Sequence, residues 1–417
     1  MAGLELTLLC LTAGSGVPLY CRSRGGSRQL PFSVIGSLNG VHMFGNNQEV
    51  LLSSTCTENV RVAWKSFHDG INLIVISSEE DISDFYLHRL LDNVFHAMVL
   101  VIGLDELINI KNVERLKKDL RACYTLIDSF LLVSERIGDL VQCAECVMAH
   151  DTPILQEGLD AFTRAADSDF GCLLAQEKVV VATEKWWRLA AQEVMLLTWL
   201  VASQAPHSSR DYPVYLPHGS PTVPHRLLTF HLVPGVDVCI LCGPSPSLQK
   251  VETELVERFW KPLLEPVKAC LRVQLRTFPA SAPLHLGVLG LLLIKRDQNR
   301  MLFTVQAHPL EELQKHGTGL SLAERRSVLR SFYTLAVSHY FPSEKADERS
   351  PVLLEELPAG YTHGAFECYV TSSSHKCYGL QTDQHQLFLL FGATVPTFSL
   401  RNIATRTLQT FTRDYPF

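Results

Sequence analysis

The 417-residue sequence has no excess of positive charge, no apolar run of membrane-spanning length, no regular cysteine spacing and no low-complexity tract. Each absence removes a class of protein. With 37 lysines and arginines against 43 aspartates and glutamates, the formal charge of −6 lacks the basic footprint of a nucleic-acid protein, so no nucleic-acid partner is expected. The longest apolar stretches, Val94 to Gly103 and Leu284 to Ile294, are interrupted by His96 and His285 and fall short of the ~20 residues a membrane helix needs. The N-terminus has no basic region, and Glu5 interrupts its apolar run, so no secretory leader is expected. Twelve cysteines without regular spacing read as reduced thiols of a cytoplasmic protein.

Catalytic motifs are missing too. No phosphate-binding P-loop and no dinucleotide G-x-G-x-x-G occurs. Ser37 sits in GSLNG, where the glycine spacing is wrong for a nucleophile elbow and the surrounding pattern is helical. His68-Asp69 would be a base with its orienter, but the two are adjacent at a turn and read as turn chemistry. Two C-x-x-C pairs, Cys143 with Cys146 and Cys239 with Cys242, suggest zinc. The second pair lies in a strand pattern, where residues three apart point to opposite faces and cannot grip one ion. No metal, cofactor or catalytic residue is assigned, and the chain is read as a non-enzyme.

What is present is a repeated α/β pattern. Val60, Val62 and Trp64 alternate with Arg61 and Lys65, His68-Asp69-Gly70 turns the chain, and Ile71 to Ile76 is apolar on both faces apart from Asn72. A strand of that kind needs cover on both sides, which predicts helices above and below an antiparallel sheet. Leu87, Leu91, Val94, Met98 and Ile102 make one helical stripe. Val113, Leu116, Leu120, Cys123, Ile127 and Leu131 make a second, with Lys111, Arg115 and Lys118 opposite it. Upstream, a hairpin about Gly14-Ser15-Gly16 is followed by a helix that Pro31 opens, over Phe32 to Phe44.

This order of hairpin, helix, strands and helix recurs from Gly171 to about Leu271 and again from Leu286 to Thr412. The fold class is therefore α/β in the α+β sense, as three consecutive units spanning 1–138, 150–274 and 282–417. Each is an antiparallel sheet with helices on both faces. The third is longer by an insertion near 343–364, and Val133 to Asp151 and Gln274 to Pro283 are the candidate linkers.

Four stretches carry a resemblance: LPFSVIGSLNGVHMFG at 30–45, WKSFHD at 64–69, NVERLKKDLRA at 112–122 and RDYPVYLPHGSPTVPHRLL at 210–228. The sequence resembles the planar cell polarity effectors of the tri-longin family over nearly its whole length, more weakly after Leu310. The resemblance implies three longin/roadblock-like domains. It also implies a scaffold subunit of the ciliogenesis and planar polarity effector complex, with Inturned and the WD-repeat effector Fritz as partners. A Rab-type or Rab-like small GTPase would be recruited or activated, as related paired tri-longin proteins exchange nucleotide on Rab GTPases. The expected location is the cytoplasm, the cytoskeleton and the basal body, with roles in membrane trafficking and intraciliary transport.

Exchange needs a surface that favours the nucleotide-free GTPase and no acid or base of its own. The expected partner surface is Phe32, Leu38, Val41, Met43 and Phe44, on or beside the first helix; the competing reading packs them on the sheet. The stripe Lys111, Arg115, Lys118 is read either as a solvated face or as a contact for an acidic partner or an anionic membrane surface.

Overall fold

The computed structural model describes residues 6–23, 30–78, 82–132, 136–204, 209–273, 276–308, 319–341 and 365–415. The insertion expected near 343–364 lies outside the described residues. The chain divides into two compact bodies, one of residues 1–144 with 151–268, the other of residues 145–150 with 269–417.

The first sheet is built from β1 (Leu6–Thr12), β2 (Pro18–Ser23), β3 (Ser54–Cys56), β4 (Arg61–Phe67) and β5 (Ile71–Ser77), in the order β2-β1-β5-β4-β3. β5 pairs with β1 from Leu6↔Ser77 to Thr12↔Ile71 and with β4 from Arg61↔Ser77 to Phe67↔Ile71, so it is central, and apart from Asn72 and Ser77 its residues are apolar. Between β4 and β5 the positive φ values belong to His68 and Asp69, where the turn signal rests on Gly70 accepting such a φ and Asp69 tolerating it. Gly70 is required for another reason: a Cβ there would stand 2.5 Å from the carbonyl oxygen of Leu107.

Helices cover both faces of this sheet. α1 (Phe32–Asn47) lies over Val62 and Trp64, and α2 (Asp84–Ile102) lies over the alternate face, where Phe95 stacks on Phe67 at 4.1 Å and Lys65 meets Asp92 at 2.8 Å. α2 starts where the Ser83 side chain accepts from Tyr86 N. Its nineteen apolar-rich residues are long enough to cross a membrane, contrary to the sequence expectation, which judged the uninterrupted apolar run alone. Leu87, Leu91, Val94 and Met98 are nevertheless buried inside the protein. The single helix expected over Val113 to Leu131 is broken. α3 (Leu104–Ile108) precedes it, and α4 (Val113–Asp119) passes through a 3-10 turn at Leu120–Cys123 into α5 (Tyr124–Leu131); a short α6 (Gly138–Val141) follows.

After β6 (Ala144–Glu145), the second sheet repeats the plan. It is preceded by α7 (Thr152–Ala165), a helix that the sequence reading passed over although Leu155, Leu159 and Phe162 mark its buried stripe. The strands are β7 (Phe170–Ala175), β8 (Lys178–Ala182), β9 (Ser209–Leu216), β10 (Ser220–Val233) and β11 (Val236–Cys242), ordered β8-β7-β11-β10-β9. α8 (Glu184–Trp187) and α9 (Ala191–Ser203) lie between β8 and β9. The helical pattern that closes this unit from about Ser247 to Leu271, which Pro262 and Pro266 must kink or end, is segmented into α10 (Leu248–Lys250), a π-turn, α11 (Glu257–Trp260), a 3-10 turn holding Pro262, and α12 (Leu264–Ala269). Trp186, Trp260 and Phe162 are core residues.

The first two units pack within one body. α2 carries Asn93, which is fully buried: its Nδ2 donates to Asp139 O at 2.8 Å, and its Oδ1 accepts from Gln192 at 2.9 Å and Gln142 at 3.2 Å. Phe130 of α5 stacks on Trp199 of α9 at 4.8 Å. Gly103, which ends α2 at φ 91°, leaves room for the Tyr215 ring, 2.9 Å from where a Cβ would sit. The buried Glu193 holds the β9–β10 turn through His218 N at 2.7 Å and Gly219 N at 2.8 Å, and its other oxygen accepts from Ala190 N at 3.0 Å.

The third sheet comprises β12 (Val288–Lys295), β13 (Arg300–Thr304), β14 (Glu367–Thr371), β15 (His375–Gln381) and β16 (His385–Gly392), ordered β14-β15-β16-β12-β13-β6. Apart from the added β6, the connectivity is that of the first two sheets. α13 (Leu322–His339) sets Phe332 and Tyr333 against Phe388 on one face. α14 (Leu400–Gln409) reaches Glu367 through Arg401 on the other.

Candidate partner-binding surface

α1 is an unusual surface helix. Pro31 sets its entry at φ −55°, no side chain caps it, and its sixteen residues include no Asp, Glu, Lys or Arg. It also contains Gly36, Gly40 and Gly45. A glycine inside a helix costs about 0.5–1 kcal/mol relative to alanine, so the sheet has to hold this helix in place.

The hold is partial. Ile35, Leu38 and Leu52 pack half-buried on a cluster of Leu9, Leu11, Val62, Trp64 and Ile74. The Trp64 indole donates to Leu38 O at 3.3 Å. Beneath the second half of the helix the contacts turn polar. His42 is buried, and its Nε2 lies 3.1 Å from both Asn46 Nδ2 and Ser66 Oγ. Accepting from Asn46 leaves the proton on Nδ1, and burial pushes the His42 pKa down. Asn72, fully buried opposite Ser66 in the ladder, pairs neither side-chain atom among the described residues.

The outward face is apolar. Phe32 is 79% exposed, Phe44 68%, Val41 54% and Met43 41%, and Val34, Val50 and Leu51 extend the exposure. Gly36 and Gly40 stand one turn apart on this side, and a Cβ on either would touch nothing within 4 Å. Of the five residues expected from the sequence, Phe32, Val41, Met43 and Phe44 are therefore at the surface, while Leu38 faces the sheet. The sequence reading missed Val50 and Leu51. They lie just past Glu49, which ends the uncharged stretch that begins after Arg28, as the first residues of the apolar run Val50-Leu51-Leu52.

The basic stripe is arranged differently from the expectation. Lys111 precedes Asn112, the N-cap of α4, whereas Arg115 and Lys118 lie on the helix; all three are exposed. Arg115 reaches Asp119 at 3.6 Å, and Lys117 pairs with Glu114 at 2.8 Å.

No group of three or more metal-binding side chains converges among the described residues. Cys239 and Cys242 are both buried in β11, and burial raises both thiols, Cys239 strongly. Burial likewise pushes the Cys143 thiol up to about 12. Thiols held protonated in this way are poor nucleophiles and poor ligands.

Comparison with known proteins follows the three sheets. Residues 6–130, 166–261 and 287–415 match the first, second and third longin domains of FUZ, MON1 and HPS1. The chain belongs to this three-longin family. It is 71% identical to the protein fuzzy homolog of Xenopus tropicalis over 411 residues, 98% of each chain. Against the human homolog the identity is 52% over 97% of each chain, and against the mouse homolog 50% over 98%. Within the three-longin frame, α1 is the first helix of the first longin domain. The chain is a Fuzzy-type longin adaptor.

Proposed function

We propose that this adaptor is a non-enzymatic scaffold subunit of a ciliogenesis and planar polarity effector complex. It joins Inturned, a second longin protein, and the WD-repeat effector Fritz, and together they recruit or activate a Rab-type small GTPase. The work is done in the cytoplasm, at the cytoskeleton and the basal body. The observation that carries the reading is the outward face of α1. An uncharged helix with exposed Phe32, Val41, Met43 and Phe44 presents the apolar anchors on which interfaces depend. Gly36 and Gly40 allow a partner backbone to approach closely.

Co-expression with Inturned, followed by capture on nucleotide-free and GTP-loaded GTPase, tests it. Met43→Asp with Phe44→Asp abolishes co-purification of Inturned, of the GTPase or of both, while thermal unfolding stays as in the parent. Undiminished capture of both rejects α1 as the contact.

A second reading is favoured by the exposure of Lys111, Arg115 and Lys118: the adaptor also touches anionic membrane surfaces through α4, without exchange activity of its own.

A further inference from the structure

We propose that two copies of this chain pair through the free edge of the third sheet, β14 against β14 across a two-fold axis centred on Tyr369. This surface is separate from α1 and does not rest on the function proposed above.

The ladder fixes which backbone groups are free. Gln381 N donates to Phe366 O at 2.7 Å and Ser372 N donates to His375 O at 2.8 Å. In an antiparallel pair the groups alternate, so residues 366, 368, 370 and 372 turn toward β15. The N–H and C=O groups of Glu367, Tyr369 and Thr371 point outward, and no strand pairs with them among the described residues. Native sheets normally protect such an edge with lysine, proline or a covering element. β14 has neither residue, and Tyr369 is 60% exposed, with Phe366 and Val370 also exposed beside it.

An outward row of this kind is satisfied by an extended backbone, and the strand is complementary to itself. With the axis at Tyr369, Tyr369 meets Tyr369 of the second copy and Glu367 meets Thr371. All three outward N–H and all three outward C=O groups of each copy then find partners. The side chains agree with the register: aromatic opposite aromatic at the centre, Cys368 opposite Val370, and the one carboxylate opposite a hydroxyl. Glu367 is already matched by Arg401 at 3.0 Å, so no like charges are brought together. The interface is isologous and closes at two subunits.

Sedimentation velocity on the full chain across a concentration series tests the pairing. The parent sediments as a dimer that dissociates on dilution. Tyr369→Lys puts two lysines opposite each other at the axis and halves the mass, as does Tyr369→Glu. Thr371→Pro removes an outward donor while leaving the inner ladder with β15 intact. Thermal unfolding of each variant reports that the fold persists, and mixing the Lys and Glu variants restores the dimer by charge pairing. A parent that is monomeric at every soluble concentration overturns the proposal, as does a dimer that survives both Tyr369→Lys and Thr371→Pro.

Discussion

His96 of α2 and His218 of the β9–β10 turn face each other across the first two longin units, with ring centroids 4.9 Å apart. His218 also bonds Gln192 at 2.9 Å through Nε2, and Gln192 bonds Asn93. The junction is thus a polar chain whose amides, Asn93 and Gln192, are buried and whose outer end is closed by two imidazoles.

That arrangement makes stability depend on pH. Burial, with the neighbouring His218 adding to it and Asp92 opposing, pushes the His96 pKa from 6.5 down to about 4. The folded state rejects a proton that the unfolded chain accepts at its ordinary pKa. The contribution is therefore complete above pH 6.5 and is lost as the pH falls toward 4, by on the order of 3 kcal/mol for a shift of this size. Urea unfolding at pH 7 and pH 5 measures it. His96→Gln shrinks the difference between the two, with His42 and His88, both lowered by burial, leaving a residual slope in the same direction.

Asn93 is the centre of the polar chain. Asn93→Leu strands the amides of Gln192 and Gln142 and the carbonyl of Asp139 in a buried site, and each unsatisfied group costs about 1–3 kcal/mol. A loss of several kcal/mol in urea unfolding is expected. A change confined to a few tenths would mean that water replaces the asparagine.

The two sides of α1 respond differently. Phe44→Asp touches no core contact and changes stability by about 0.5 kcal/mol or less. Trp64→Ala removes the indole under the helix and costs about 3–5 kcal/mol. Chemical unfolding of the two variants side by side checks both. A large loss from Phe44→Asp would show that its ring is needed by the isolated chain.

Membrane contact through α4 has a simple charge test. Each lysine or arginine near an anionic bilayer contributes about 1 kcal/mol. Changing Lys111, Arg115 and Lys118 to Glu together reduces sedimentation with phosphatidylserine vesicles by two orders of magnitude or more, and added salt weakens the parent in the same direction. Vesicle binding that survives charge reversal excludes this stripe.

Much of the fold was legible because it follows from local pattern. The alternation in Arg61–Phe67, the turn at His68-Asp69 and the apolar stripe of α2 each sit within a few residues of chain. Where the reading failed, the deciding contact was distant. Gly70 was taken as a turn glycine, yet its restriction comes from Leu107. Leu38 was grouped with Val41 and Phe44, and only the position of Trp64 separates them. α7 was legible in Leu155, Leu159 and Phe162 and was simply passed over.

By itself the sequence determined the strands other than β3 and β6, their turns, the threefold plan and the uncharged character of residues 30–47, because side-chain period and backbone permissiveness are local properties. The tertiary structure decided the shared strand order, which side of α1 is left open, and the joining of the first two units through Asn93, His96 and His218. Periodicity says which face is apolar, but what covers that face is set by residues a hundred positions away.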